Sequence, residues 1–296
     1  MSGQLKEVRN RIKSIQSGQQ ITKAMKMVSA AKLRRAQDAI TLMRPYAVKL
    51  QEMLQNIVSN SEGNIDTPLA AQRAVEKVLI VVITSDRGLC GAFNSNLIKT
   101  AKRVIREKYA EQFAQGQVEI MPIGKKGFEH FSQNGGYKVN DKFWTMFSNL
   151  TFEHVKEAAA VALNGFIDGK YDAVEIIYSE FKNAATQVYV AEQFLPIAKV
   201  ENQEDKSGLK ADYIFEPEKE TLIAELMPKI LNTQFFKAIL DSHASEHGAR
   251  MTAMDKATEN ASEILRSLKI SYNRARQAAI TTELTEIVSG AAALAG

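Results

Sequence analysis

The pattern that most constrains this chain is a three-four alternation of apolar residues that appears near both ends and is missing from the middle. Leu5, Val8, Ile12 and Ile15 follow it first, and Ala36, Ile40, Met43, Ala47, Leu50, Leu54 and Ile57 follow it further on. Between them the register breaks around Gly18, and Ile21, Met25 and Val28 resume it in a shifted phase, as a stutter would. A helix from near residue 3 to residue 58 would be about 80 Å long at about 1.5 Å per residue, longer than a domain is wide. The distal copy runs through Met251, Met254, Thr258, Ala261, Leu265, Leu268, Tyr272, Ala275 and Ala279. Ile223, Leu226 and Ile230 place the start of that helix near residue 218, with Pro217 at its start and Pro228 at a kink. So narrow a seam needs a second helix to cover it. The simplest solution is an antiparallel coiled coil in which residues 36–57 and 251–279 face each other.

The middle has another period. Lys77–Ser85, "KVLIVVITS", is a continuous β-branched run that ends at Asp86-Arg87-Gly88, and a helical stretch from Asn94 to Lys108 follows. Then come Gln117–Gly124, a short helix to about Gln133, a helix near Phe152–Ile167, and the strands "YDAVEIIYSEF" and "TQVYVAEQFLPI". Strand and helix in alternation predict an open sheet with helices on its faces. Unbroken apolar runs fit parallel strands buried on both sides. The expected class is α/β: a long antiparallel coiled coil of the N- and C-terminal helices flanking a Rossmann-like open α/β domain. The expected division is a helix over 1–58, the α/β domain over 59–217 with its sheet within about 75–200, and a helix over 218–296.

With 45% apolar and 24% charged residues the chain has the composition of a globular protein. Its charge is uneven. Residues 1–58 carry 11 Lys and Arg against 3 Asp and Glu, whereas 59–217 carry 18 against 21 and 218–296 carry 9 against 10. The basic arm allows nucleic acid, an anionic membrane or an acidic protein surface as partner. A nucleic-acid arm on a structural coiled coil is one alternative, but Tyr46 is the arm's one aromatic, which leaves little for base stacking. An α/β enzyme with helical arms is the other. The single cysteine, Cys90, makes no internal disulfide and fits a reducing compartment. No stretch approaches the length of a membrane span, and the first twenty residues lack the apolar run of a secretory signal. Glu7 and the immediate seam argue against a transit peptide.

Two motifs suggest chemistry. "TSDRGLCGAFN", Thr84–Asn94, is a strand-to-helix turn where such folds often hold a phosphate. It has neither G-x-x-x-x-G-K-S/T nor G-x-G-x-x-G spacing, so Cys90 reads as a small hydrophobe in a tight turn. "HASEH", His243–His247, matches the H-x-x-E-H pattern of one zinc peptidase class. Such a site needs a third ligand, and the downstream candidates Glu259, Glu263, Glu283 and Glu286 lie on the same rod. The two histidines are expected at the surface or flanking the seam. No catalytic, metal or cofactor residue is assigned.

Beyond Glu286 the chain carries no charge, and a run such as Ile287-Val-Ser-Gly-Ala-Ala-Ala-Leu should be covered or disordered. With "RIKSIQSGQQITKAMKMVSAAKLRRAQ", "TSDRGLCGAFN", "ASEHGARMTAMDKATENA" and "YNRARQAAITTELTEIVSGAAAL", the chain resembles the γ subunits of rotary, proton-translocating ATP synthases from end to end. The resemblance implies a central rotor shaft. It would stand inside a hexamer of α and β subunits, with the α/β domain beside the ε subunit and the membrane c-ring. It implies that proton flow through the ring turns the shaft, which drives ATP synthesis at β, and that nucleotide binds the partners and not this chain. By the same resemblance Lys23, Met25, Lys26, Lys32, Arg34 and Arg35 meet acidic levers of β. Arg274, Gln277, Thr281 and Glu283 form a polar catch, and Ile287 and Val288 sit in an apolar sleeve. One cysteine cannot form the regulatory pair expected of a plastid relative. A bacterial inner membrane, approached peripherally from the cytoplasmic side, is the expected location.

Overall fold

The computed structural model describes residues 2–59, 68–197 and 219–295, with side chains described for 5–50, 53, 68–197 and 225–294. The expectations placed on Pro217 and on the side chains of Leu54, Ile57 and Ile223 lie outside these. The chain divides into two compact units, residues 1–30 with 250–296 and residues 31–249. Helix α1 (Ser2–Ser59) and helix α6 (Lys219–Ala295) contribute to both.

In the first unit the two helices run antiparallel. Arg9 donates to the Tyr272 hydroxyl (2.8 Å), Gln19 to the Ser262 hydroxyl (2.7 Å), the Thr22 and Thr258 hydroxyls meet at 2.8 Å, and Lys26 pairs with Asp255. One number rises as the other falls, so the register is fixed without a slip. On α6 every predicted seam residue from Met251 to Ala279 is buried or half-buried. On α1 the seam begins as predicted with Leu5, Val8, Ile12 and Ile15. There is no stutter after it. Gln19, Thr22, Lys26 and Ser29 continue the same three-four spacing, while Ile21 and Val28 are 60% and 58% exposed. Polar groups can hold seam positions here because the opposite helix supplies their hydrogen-bond partners.

The pairing of the seams also differs from the expectation. Residues 251–279 face the stretch from Leu5 to Ser29, as the cross-pairs show, and not residues 36–57. In the second unit Leu33, Ala36, Ile40 and Leu50 are buried, and α1 there lies beside Ile230, Gln234 and Asp241 of α6 and the edge of the sheet. Three-four spacing reports a face and carries no information about stagger.

The sheet belongs to the second unit. It comprises β1 (Val78–Ile83), β2 (Val118–Ile123), β3 (Lys138–Val139), β4 (Ala173–Phe181) and β5 (Gln187–Leu195), in the order β3-β2-β1-β4-β5. β1 pairs in parallel with β2 and β4, β2 in parallel with β3, and β5 closes the edge antiparallel to β4. All six residues of β1 are fully buried, as an unbroken apolar run requires. Helix α2 (Phe93–Lys108) covers one face with Phe93, Leu97, Ala101 and Val104, joined by Phe131 of α4 (Lys125–Gln133). The short α3 (Ala110–Ala114) follows α2. Helix α5 (Phe152–Ile167) and α6 cover the other face, the latter through Met227, Leu231, Phe235 and Ile239. The expected α/β class with flanking helices is the one observed.

Within this unit α6 passes over the carboxyl ends of β1 and β4. The Ser242 hydroxyl donates to the Ile83 carbonyl (3.3 Å), and the Ser245 hydroxyl to the Ser179 carbonyl (3.1 Å). A Cβ on Gly248 would stand 3.1 Å from the backbone of Ala184. From Ala238 to Ala249 every side chain but half-buried His243 is buried. Alanine, serine and glycine recur there because a helix enclosed on all sides needs small residues to approach neighbouring backbone.

Candidate partner-binding surfaces

Doubly wound sheets usually bind ligands outside the carboxyl ends of their strands, where the strand order reverses. Here that place, beside β1 and β4, is filled by α6. The neighbouring loop Thr84–Asn94 turns its polar groups inward. Asn94 Oδ1 accepts from the Ser85 amide at 2.9 Å, and Asn94 Nδ2 lies 2.7 Å from Ser85 Oγ and 3.3 Å from Cys90 Sγ. Cys90 is buried, and Leu89 and Gly91 adopt positive φ to make the turn. Thr84 Oγ1 accepts from the Gly127 amide at 2.8 Å, beside Gly124 at φ +101°. These contacts of Thr84, Ser85, Cys90 and Asn94 hold the turn together.

The histidines of "HASEH" are not where the sequence suggests. His247 is buried and His243 half-buried, inside the second unit rather than on an exposed rod. The His243 ring stacks on Phe147 with centroids 5.3 Å apart. Among the described residues no group of three His, Cys, Asp or Glu could hold a metal ion.

The residues assigned to partners lie mostly on open helix faces. In the first unit Lys23 is exposed, Met25 is half-buried beside the seam, and Lys26 is half-buried against Asp255. On α6 of that unit Arg274, Gln277, Thr281, Glu283, Ile287 and Val288 are all exposed, and so is every described side chain from Glu283 to Leu294. The two clusters do not meet. The register sets Lys23 and Lys26 opposite Thr258 and Asp255, at least sixteen residues before Arg274, which is about 24 Å of helix. In the second unit Lys32, Arg34 and Arg35 are exposed on α1. Ile21, Met27 and Val28 join the surface of the first unit, and the sequence hides Ile21 and Val28 because with Met25 between them their spacing imitates a seam. Their signal is the polar run Gln19, Thr22, Lys26 and Ser29, which keeps the true phase.

The second unit also holds a cavity of about 470 Å³ between α1, the β4–β5 edge and α6. Its acidic wall is Glu180, Glu192 and Asp241, and Arg44 and Lys237 oppose them. Tyr178 donates to Glu192 at 3.0 Å, and Gln234 donates to its other oxygen at 2.6 Å. Burial, reinforced by Glu180 and Glu192 and opposed by Lys237 and Arg44, pushes the Asp241 carboxyl up to about 6.

A family model described as ATP synthase matches residues 4–294. The chain is 55% identical over 291 residues to the ATP synthase gamma chain of Cytophaga hutchinsonii, covering 98% of each. It is 54% identical over 292 residues to that of Flavobacterium johnsoniae, covering 99% of each. Among solved structures, a chain of the Euglena gracilis mitochondrial ATP synthase (OSCP/F1/c-ring) shares the fold, with a TM-score of 0.66, 21% identity, and 99% and 95% coverage of this chain and that one. A chain of the Tetrahymena thermophila mitochondrial ATP synthase central stalk and c-ring aligns with a TM-score of 0.58 at 26% identity, over 80% of this chain and 99% of that one.

Proposed function

The chain belongs to the ATP synthase gamma-chain family, and from that premise we propose that it is the central rotor shaft, coupling proton flow through a membrane ring to ATP synthesis and hydrolysis at catalytic β subunits. The observation that carries this reading is the match to gamma chains along both terminal helices and the sheet domain alike. Its partners are the α and β subunits of the hexamer, the ε subunit and the c-ring. The division into shaft helix (1–58), α/β domain (59–217) and shaft helix (218–296) serves this arrangement. The chain itself is non-catalytic and binds no nucleotide directly, in keeping with a sheet whose ligand crevice is filled by α6. Among the described residues no helix is long and apolar enough to cross a membrane, and the complex holds this subunit peripherally at the cytoplasmic face of a bacterial inner membrane.

The exposed surfaces divide the work. Lys23, Lys26, Lys32, Arg34 and Arg35, with Met25, meet acidic levers of β, where charge attracts at range without the deep burial that would stop a sliding contact. Arg274, Gln277, Thr281 and Glu283 make a polar catch. Ile287, Val288 and the small residues after them turn in an apolar sleeve, since the run from Ile287 to Leu294 offers one side-chain hydroxyl, Ser289, and no charge. Rotation favours a different nucleotide affinity in each β subunit in turn, a population shift imposed by a moving ligand. The test is ATP-driven proton pumping in complexes assembled to equal levels. Reversing charge at Lys23, Lys26, Arg34 and Arg35 should impair pumping, while deleting 291–296 should lower it modestly. Complete uncoupling by the deletion with a silent charge reversal overturns this division.

A further inference from the structure

His243 and His247 stand one turn apart on α6, with their Nε2 atoms 3.1 Å apart, ring centroids 4.6 Å apart and rings at 77°. Two imidazole nitrogens bound to one ion at about 2.0–2.1 Å lie about 2.9 Å apart at a right angle and about 3.4 Å apart at the tetrahedral angle. The observed separation falls between these. A straight N–H···N bond of this length would hold the centroids about 5.4 Å apart, because both rings would point along the bond. The shorter centroid distance means that the rings are bent off that line, an arrangement shared by a bent N–H···N bond and by two nitrogens that address one ion. We propose that His243 and His247 form a two-imidazole site for a first-row divalent transition-metal ion. Phe147, stacked on His243 at 14°, holds one ring in place, and the helix fixes the spacing of the other. Half-buried His243 gives the entry side.

Among the described residues no third His, Cys, Asp or Glu completes the set, so the two imidazoles are the protein's whole contribution to the site. Borderline ions that favour imidazole, copper(II) above nickel(II) and zinc(II), therefore suit the site, and magnesium and calcium do not. The chemistry is binding, a clip across one turn of α6 where it crosses the sheet, and no hydrolytic step is implied.

The test titrates the tag-free full-length chain with copper(II) alone in a non-coordinating buffer, by calorimetry and by electron paramagnetic resonance. One equivalent should bind with nitrogen coupling in the copper signal. His243→Ala should weaken it at least tenfold, and His154→Ala should leave it unchanged. Copper should raise the melting temperature of the wild type and not that of His243→Ala. If His247→Ala fails to fold, the half-buried His243 still decides the question. Equal affinity in wild type and His243→Ala, or a copper signal without nitrogen coupling, overturns the site.

Discussion

Replacing Asp241 with asparagine should stabilise the chain, and more so at higher pH. Asp241 is 6% exposed, lines the cavity between α1 and α6, and has its carboxyl moved from 3.8 to about 6. The charged groups around it are Glu180 and Glu192, which oppose ionisation, and Lys237 and Arg44, which favour it. A carboxyl raised in the folded state binds its proton more tightly there than in the unfolded chain. Stability therefore falls as pH rises from about 4 to about 6, and the whole penalty is present above that. At about 1.4 kcal/mol per pKa unit the penalty at pH 8 is about 3 kcal/mol at most, and about half of it is already present at pH 5. Asparagine keeps the shape and removes the titration. Urea denaturation of the full-length chain and of Asp241→Asn at pH 5 and pH 8 measures both terms. The stability difference in favour of the variant should grow by about 1.4 kcal/mol between the two pH values. A difference independent of pH, or a variant less stable at pH 8, refutes the reasoning that burial dominates the environment of this carboxyl.

Two further outcomes follow from the geometry. Thr22→Val should cost no more than about 1 kcal/mol, because the Thr258 hydroxyl keeps its donation to the Met254 carbonyl (2.7 Å) when its partner is lost, and a double-mutant cycle with Thr258→Val in urea should give a coupling below about 0.5 kcal/mol; a larger coupling would mean that the hydroxyl pair itself sets the register. Gly124→Ala should destabilise by about 3 kcal/mol or more and lower the melting temperature, because a Cβ at φ +101° would overlap the Thr84 carbonyl; a stable Gly124→Ala chain would mean that this turn is free to move.

The elements themselves are legible in the sequence, because each has one period. β1 reads as an unbroken β-branched run, α5 spans the expected Phe152–Ile167, and the α6 seam from Met251 to Ala279 faces inward throughout. The misreadings share a cause. At Gln19–Ser29 hydrogen bonds across the pair let polar residues keep seam positions, so hydrophobicity followed Ile21 and Val28, which are on the surface. From Ala238 to Ala249 the helix is enclosed on all sides, and small residues close to strand carbonyls leave no stripe to recognise. The histidine pair was misplaced for the same reason. Of the candidate surface, the positive charge of α1 is visible in composition, while the separation of Lys23 and Lys26 on α1 from the Arg274–Glu283 cluster on α6 depends on the register between the helices, which long-range pairing sets.

The passage of α6 over β1 and β4 has a consequence for cutting the molecule apart. The strands are contiguous in the chain, from Val78 to Leu195, and invite excision as a module. Such a fragment would lose Met227, Leu231, Phe235 and Ile239 from one face of its core, and the hydroxyl donors that now reach the Ile83 and Ser179 carbonyls would be gone. Continuity in sequence is therefore a poor guide to autonomy here. The smallest piece with an intact interior must include a helix that begins more than twenty residues after the last strand ends.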